Sequence, residues 1–270
     1  MNRTLTALGK RLIPWVVPLI LLVVWQASVQ FNWLSTRYLP APLAVLEAGY
    51  RLTVSGELPR HVAISSARAG AGLLVGGGLG FALGILTSLW PTAERLLDTA
   101  VQMLRNIPHL ALIPLVILWF GIGEEAKLFL VALGVFFPIY LNTFHGIRTV
   151  DAGLLEMARS YGLGPAQLFW KVLLPGALPS ILIGLRFALG TMWLTLIVAE
   201  TISARAGIGY LAMNAREFMQ TDVVLLSIAI YALLGKLADV VARGLERYWL
   251  RWHPAYQIAK AQRPSARSNP

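Results

Sequence analysis

Arg186 is the charged residue whose position most strongly suggests a binding role, because it lies near the middle of the long apolar stretch 177–199. A guanidinium presents a planar fork of donors that suits the oxygens of a carboxylate or another oxyanion, so Arg186 is a candidate contact for an anionic ligand. A structural ion pair would also explain this residue. Glu200 follows the end of the stretch and is a second candidate, although a carboxylate at a helix end would account for it too.

The residue types that form metal and nucleotide sites are scattered or missing. The chain has no cysteine, and its four histidines show no spacing typical of metal ligands. No phosphate loop of the form G-x-x-x-x-G-K-[ST] is present, so the sequence offers no site of that kind for ATP hydrolysis. These observations predict neither a catalytic residue nor a metal site in this chain.

The composition indicates a membrane protein. Of the 270 residues, 57% are apolar and 13% are charged, whereas a soluble domain is about half apolar and a quarter charged. Several apolar runs approach or reach the roughly 17–25 residues that a helix needs to cross a bilayer. The net charge of +10 could suggest nucleic-acid binding, but Lys and Arg lie in short segments between apolar runs and not on one soluble basic face. The expected fold class is an all-α polytopic membrane protein.

Six membrane spans can be read from the apolar runs and their boundaries. They are predicted at 13–30, 67–89, 107–121, 126–144, 177–199 and 222–242, which together make a transmembrane domain of 13–242. The second span is rich in glycine, which we interpret as a packing feature because small residues let neighbouring helices approach closely. Prolines within the spans predict kinks.

Both ends of the chain are predicted to lie in the cytoplasm. With the N-terminus inside, the inner segments hold 14 of the 23 Lys and Arg residues and the outer segments hold 7, the bias expected of cytoplasmic loops. Residues 1–12 form a cytoplasmic N-terminus, and 243–270 form a cytoplasmic basic tail whose end is expected to be disordered. The start of the chain also resembles a secretory signal, but Pro14, Pro18 and a weak cleavage pattern favour a retained first helix.

Two segments on the predicted outer side are expected to contain short helices. The segment 31–66 begins with an extended stretch that contains proline and continues as an amphipathic helix near 43–54. Residues 205–221, between the last two spans, are expected to form a re-entrant or surface helix that covers the pathway.

The polar segment 145–176 is predicted to form a cytoplasmic protrusion of two short helices. Asp151 is suited to cap the first helix. Gly162 breaks that helix at a position where a helix end favours glycine. Pro165 fits the first turn of a second helix, which is predicted to run until Pro175. Two short helices joined by a glycine turn can dock into a partner and transmit force.

The same segment resembles the EAA loop of bacterial ABC importer permeases. The family pattern is E-A-A, three residues, G, nine residues and I-x-L-P, and this chain matches its spacing with Glu156-Met157-Ala158, Gly162 and Val172-Leu173-Leu174-Pro175. Met157 replaces Ala and Val172 replaces Ile. Further stretches that carry the resemblance are 102–121, 193–201 and 207–218. It covers Trp25 to about Tyr256 and is nearest to the aliphatic sulfonate permeases within the nitrate, sulfonate and taurine group.

The resemblance implies a type I ABC importer permease fold and a set of partners. In the family, the loop contains a coupling helix that inserts into a cleft of the ATP-binding subunit. By resemblance, the residues that couple to the ATPase are Glu156, Met157, Ala158, Gly162, Leu174 and Pro175. It further implies a second permease copy (a homodimer is expected), two ATP-binding subunits and a periplasmic substrate-binding protein, in the bacterial inner membrane. ATP and Mg would be held by the ATPase, with no cofactor on this chain. Taurine, nitrate or another small oxyanion stays open as the substrate.

Three more residues are candidates for a hinge or gate. Arg105, Asn106 and Pro108 lie where the third span is predicted to begin on the inner side. They could equally be anchors of the kind that the bias of Lys and Arg toward the cytoplasm produces.

Two other classes of membrane protein remain as alternatives. A secondary transporter would normally show paired repeats with intramembrane acids or broken helices in both halves, and a coupling loop would have no function in it. An integral membrane enzyme would need a cluster of His, Asp or Glu at one membrane face, and the sequence shows none.

Overall fold

The structure is a computed structural model that describes residues 2–35 and 39–252, and the side chains of 16–35, 39–202 and 204–252. The predicted basic side chains of the N-terminal segment lie outside the described side chains. The part of the predicted tail from His253 onward, including its disordered end, also lies outside the described residues.

All regular structure in the described ranges is helical, which confirms the all-α fold class. The α-helices in chain order are α1 (Asn2–Gln30), α2 (Pro42–Val54), α3 (Glu57–Leu89), α4 (Pro91–Arg105), α5 (Ile113–Phe120), α6 (Glu124–Arg148), α7 (Ala152–Ser160), α8 (Pro165–Leu168), α9 (Leu174–Ser203), α10 (Ile208–Glu217) and α11 (Thr221–Trp249). A 3₁₀ turn, His109–Leu112, precedes α5, and a π turn, Phe169–Leu173, joins α8 to α9.

The helices extend past the predicted spans. Within the described residues, the chain segments Glu57–Leu89, Glu124–Arg148, Pro165–Ile202 and Thr221–Trp249 are long and apolar enough to cross a membrane. A helix does not have to end at the membrane surface, because its backbone groups stay paired in water as well as in lipid. The predicted tail therefore begins inside a helix, since α11 continues through Arg243 to Trp249.

The third span differs most from its prediction. Instead of one helix over 107–121, the structure has α4 and the pair formed by the 3₁₀ turn and α5, which are bent by 84° with respect to each other. The break coincides with Pro108, which has no backbone N–H to continue a helix. The two pieces together count as one broken span or a re-entrant loop.

A stripe of glycines on α3 lies directly against α6. A Cβ added at Gly76 would lie 2.0 Å from the carbonyl oxygen of Ala132, and one at Gly80 would lie 2.6 Å from that of Phe136. Gly72 and Gly84, one helical turn to either side of this pair, are equally close to α6. Helices in lipid associate through such close backbone approach. The packing role predicted for these glycines is confirmed for the stripe.

The helices α6 and α9 also pack tightly against each other. Gly184 on α9 approaches Asn142 of α6, where an added Cβ would be 2.6 Å from the asparagine Cβ. Ser180 donates a hydrogen bond to the backbone oxygen of Asn142 at 2.8 Å. A buried apolar cluster of Val116, Ala126, Leu130 and Ala199 joins α5 to both helices.

The chain divides into two compact units, Met1–Ile64 with Arg205–Tyr231 and Ser65–Ala204 with Ala232–Pro270. The core of the first unit consists of Ala48, Leu52, Leu211, Ala215 and Val223. The helices predicted near 43–54 and within 205–221 are confirmed as α2 and α10, and both contribute to this core.

Candidate functional site

The segment between α6 and α9 begins as the sequence predicts. Asp151 precedes α7, and its carboxylate accepts a hydrogen bond from the backbone N–H of Leu154 at 2.9 Å. This bond satisfies one of the backbone donors that a helix leaves unpaired in its first turn. The capping role predicted for Asp151 is confirmed.

Gly162 ends α7 with a left-handed backbone conformation, at φ of +78°. The backbone N–H of Gly162 donates to the oxygen of Arg159, and that of Leu163 donates to the oxygen of Ala158. This pair of bonds is the Schellman motif, in which glycine is favoured because it has no Cβ to clash. Gly162 therefore fixes the direction in which the chain leaves the helix.

Apolar side chains are exposed along one face of α7 and at the residue that follows its end. Met157 is 52% exposed and Tyr161 is 79% exposed, and Leu154 is on the same side at a spacing of three residues. Glu156 is exposed beside them, whereas Ala158 is buried. We therefore expect Ala158 to seat the helix and not to touch a partner. Leu154 and Tyr161 are members of this exposed face that were not predicted, although their helical spacing from Met157 is visible in the sequence.

The second half of the segment differs from the prediction. Pro165 occupies the first turn of α8 as predicted, but the helix does not end at Pro175. Instead, α8 continues through the π turn into α9, so that Leu174 and Pro175 lie in the first turn of α9. A proline is tolerated there, because its missing N–H is one that the start of a helix leaves unpaired. The segment that begins at Pro165 is thus joined to the fifth predicted span without a loop.

Arg186 belongs to a charged cluster between α9 and α11. Its Nε donates to Asp239 Oδ1 at 3.0 Å. Lys236 Nζ lies 3.5 Å from Asp239 Oδ2, and Arg243 donates to that same oxygen. We call Arg186, Lys236, Asp239 and Arg243 the Asp239 cluster. The ion pair that the sequence left open for Arg186 is present in the structure, and the possible ligand contact stays a prediction.

Glu200 lies in a second group of charges, whose members are buried except for the exposed Glu124. Its carboxylate is 1% exposed and accepts from Arg68 Nη1 at 2.7 Å and from Ser65 Oγ at 2.8 Å. Arg68, itself 7% exposed, also donates to both carboxylate oxygens of Glu124 at 2.5 and 2.7 Å. Lys127 Nζ donates to Glu124 at 3.0 Å. We call these five residues the Arg68 network, and it joins α3, α6 and α9.

Except for Glu200, the residues of the Arg68 network carry no pattern in the sequence that singles them out. Arg68 and Lys127 are the second residues of the predicted spans 67–89 and 126–144, and a charge at the end of a span is typical of an anchor at the membrane surface. The pairing depends on residues that are 56 and 132 positions away in the chain from Arg68. A pattern within one segment therefore could not reveal it.

The three predicted hinge residues lie together at the 84° bend between α4 and α5. Arg105 is in the last turn of α4, Asn106 follows its end, and Pro108 precedes the 3₁₀ turn. All three are exposed. Beside them, His109 shares a hydrogen bond of 2.9 Å with Thr195 of α9. The bend is thus located where the sequence predicted a hinge, and its role as a gate stays a prediction.

Among the described residues, no group of three or more His, Cys, Asp or Glu side chains is arranged to hold a metal ion. The arrangement consists instead of an exposed apolar helix face, two sets of ion pairs and a bend. Such features suit contact with a partner and movement.

Comparison with known proteins agrees with this description. The family described as binding-protein-dependent transport system inner membrane component matches residues 76–250. The relative SsuC of Escherichia coli K12, whose name describes an aliphatic sulfonates transport permease, is 65% identical over 93% of this chain and 95% of its own length. SsuC of Bacillus subtilis 168 is 46% identical, over 89% of this chain and 87% of its own. The taurine transport system permease TauC of E. coli K12 is 38% identical, over 88% of each chain.

A solved structure shares the fold. The crystal structure of an amino acid ABC transporter with histidines contains a chain that matches with a TM-score of 0.59 and 18% identity, over 75% of this chain and 96% of that one. The fold similarity, the family match over residues 76–250 and the identity to transport permeases over nearly the whole chain all agree. This chain therefore belongs to the family of binding-protein-dependent transport system inner membrane components, the permease subunits of ABC importers.

Proposed function

We propose that this chain is the permease through which an ABC importer moves aliphatic sulfonates across the bacterial inner membrane. The observation that carries the proposal is the 65% identity, over 93% of the chain, to a permease named for aliphatic sulfonates. The identity to the relative named for taurine is 38%. The difference favours alkanesulfonates over taurine, and taurine, nitrate or another small oxyanion is the alternative within the same class.

In the proposed transporter, two copies of this chain form the pathway. Two ATP-binding subunits dock from the cytoplasm, and a periplasmic binding protein delivers the substrate. ATP and Mg are bound by the ATPase, and this chain contributes no catalytic residue and no cofactor. The permease has two states, and the transporter binds ATP more tightly in one state than in the other. ATP binding therefore shifts the permease toward that state, and hydrolysis of the ATP reverses the shift.

The docking surface proposed for the ATPase is the exposed side of α7. It contains Glu156, Met157 and Tyr161, and the turn at Gly162 sets its direction. An exposed apolar face flanked by polar groups is the composition expected of a protein contact. In this proposal both termini lie in the cytoplasm, on the same side as the docking surface, which follows from the distribution of Lys and Arg.

A secondary transporter is the candidate from a different class. It would move its substrate without an ATPase, and the exposed face of α7 would then have no partner. Transport in the absence of ATP therefore separates the two classes.

The proposal is tested by uptake of labelled ethanesulfonate into liposomes that hold this chain, its ATPase and its binding protein. Taurine and nitrate are measured in parallel, each with and without ATP. We expect ATP-dependent uptake that prefers ethanesulfonate. ATP-dependent uptake of taurine or nitrate alone would retain the class and overturn the substrate, and uptake without ATP would overturn the class.

A further inference from the structure

The Asp239 cluster carries more positive charge than its own carboxylate can balance. Arg186, Lys236 and Arg243 are three cations that share one anion, Asp239, so the four side chains have a net charge of +2. Arg186 and Lys236 lie within predicted membrane spans, and Arg243 lies just past the end of one. Charged groups at membrane depth are unfavourable and usually face the interior of a bundle or a water-filled cavity, where they have a partner. The excess charge favours the binding of an anion from outside these four residues.

The geometry of the cluster leaves donors for such an anion. Arg186 contacts Asp239 through Nε, which leaves the terminal edge of the guanidinium for a second acceptor. Lys236 is 65% exposed and stands 3.5 Å from the carboxylate, at the edge of the cluster. A guanidinium edge next to an ammonium group is a favourable arrangement for an oxyanion, since charged donors form the stronger hydrogen bonds.

Apolar side chains border the cluster on both helices. Ile183, one helical turn before Arg186 on α9, is exposed, and so are Leu233 and Val240, one turn to either side of Lys236 on α11. A ligand with an oxyanion head and a short alkyl tail could place the head on the cations and the tail on these residues. This composition is typical of small-molecule sites, which combine apolar walls with a few placed polar groups.

We propose that the Asp239 cluster is a binding site for an oxyanion head group at membrane depth. The anion is either the sulfonate that passes through the permease or the phosphate of an anionic lipid. The first source rests on the proposed function, and the second does not. Asp239 holds the three cations together, and Arg186 and Lys236 contact the anion.

The test uses the complete transporter, with the permease, the ATPase and the binding protein, in phosphatidylcholine vesicles with and without phosphatidylglycerol. Lys236→Gln is the main variant, because it removes one cation and leaves the pairs of Asp239 with both arginines. Lys236→Arg retains the charge, and Arg247→Gln is the matched control, an exposed arginine farther along α11. Arg186→Ala removes the other proposed contact.

If the transported anion occupies the site, Lys236→Gln lowers ethanesulfonate uptake about tenfold in both kinds of vesicle, the loss expected for one hydrogen bond to a charged group. Stimulation of the ATPase by the loaded binding protein stays, Lys236→Arg restores uptake, and Arg247→Gln has no effect. Arg186→Ala abolishes uptake while the assembled transporter survives. Normal uptake by Arg186→Ala would refute its contact with the transported anion.

If a lipid phosphate occupies the site, the wild type binds phosphatidylglycerol, measured by mass spectrometry of the purified complex, and Lys236→Gln retains less of it. This readout stands even if the wild type carries no ethanesulfonate, so a failure of the proposed function is distinguished from a failure of the site. The site is overturned if Lys236→Gln matches the wild type in both uptake and bound lipid. It is also overturned if that variant loses the assembled transporter, because the cluster would then be a contact between subunits.

Discussion

Arg68 and Glu200 form an ion pair at a depth where very little solvent reaches them. Removing two charges from water is unfavourable, and the cost is recovered only when each charged group keeps its hydrogen-bond partners. In the Arg68 network the guanidinium meets two carboxylates, and Ser65 adds a further donor to Glu200. Removing one member of the network should therefore lower the stability of the protein more than removing an exposed charge.

We expect Glu200→Gln to destabilise the protein by about 1.5–3 kcal/mol, the range for losing a hydrogen bond to a charged group, because Arg68 keeps Glu124 as its second partner. The apparent melting temperature in detergent, followed by size-exclusion chromatography of a fluorescent fusion, should fall by several degrees. Glu125→Gln, an exposed neighbour of Glu124, is the control and should change little. Equal melting temperatures for the two variants would show that the pair of Arg68 and Glu200 does not stabilise the protein.

The double variant Arg68→Gln with Glu200→Gln separates the pair from its surroundings. Removing both charges leaves no unpaired ion, so its destabilisation should be smaller than the sum of those of the two single variants. If the effects are additive, the two residues do not interact in the folded protein.

At the scale of elements, the stripe of glycines fixes how closely α3 and α6 can approach. We expect Gly76→Ala to lower the free energy of unfolding by about 3 kcal/mol, the upper end of the cost of forcing extra atoms into a packed interior. The upper end applies because the new Cβ would lie 2.0 Å from a backbone oxygen. Gly78→Ala, on the same helix with open space around it, is the matched control. Both variants are compared by thermal unfolding, and a tolerated alanine at residue 76 would show that the helices are not in this contact.

The turn after α7 is expected to matter for the ATPase contact. Gly162→Val places a β-branched residue at φ of +78°, which costs roughly 1–2 kcal/mol and favours another exit direction for the chain. We expect weaker retention of the ATPase subunit on the immobilised permease. The control is Gly164→Ala, where φ is −70° and an added methyl meets nothing within 4 Å.

The apolar face of α7 can be tested in the same pull-down. Met157→Glu adds a charge to the surface that we propose is buried against the ATPase, so binding should weaken at least tenfold, the effect of a residue at the centre of an interface. The same substitution should leave the melting temperature of the permease alone unchanged, because Met157 is already half exposed. Unchanged binding would place the contact on another surface.

The local features of these elements could be predicted from the sequence, because their causes lie within a few residues. Asp151 and Gly162 act on the helix beside them, and the apolar runs reflect the membrane directly. The prediction that a helix ends at Pro175 is wrong. A proline can end a helix or lie in its first turn, and the packing around the π turn decides which of the two occurs. The partners of Arg186 and Arg68 could not be predicted, since each lies on a helix at least 53 positions away.

At the scale of the whole molecule, the absence of cysteine makes the orientation directly measurable. A single cysteine placed at Glu47 should react with a maleimide that cannot cross membranes when it is added to intact cells. One placed at Gln167 should react only after the membrane is opened. Both positions are exposed on described helices. The reverse pattern would invert the topology that we infer from the distribution of Lys and Arg.

The continuity of α8, the π turn and α9 means that a tilt at the start of α9 would be carried along the whole helix. The helix has 30 residues and is therefore about 45 Å long, with Pro175 at one end and Glu200 near the other. A tilt of one degree about Leu174 displaces Glu200, about 39 Å along the helix, by roughly 0.7 Å. A tilt of about three degrees, which moves Glu200 by about 2 Å, would separate it from Arg68 unless the arginine side chain follows. Tilting of the helix at its α8 end would thus change a buried ion pair near its other end.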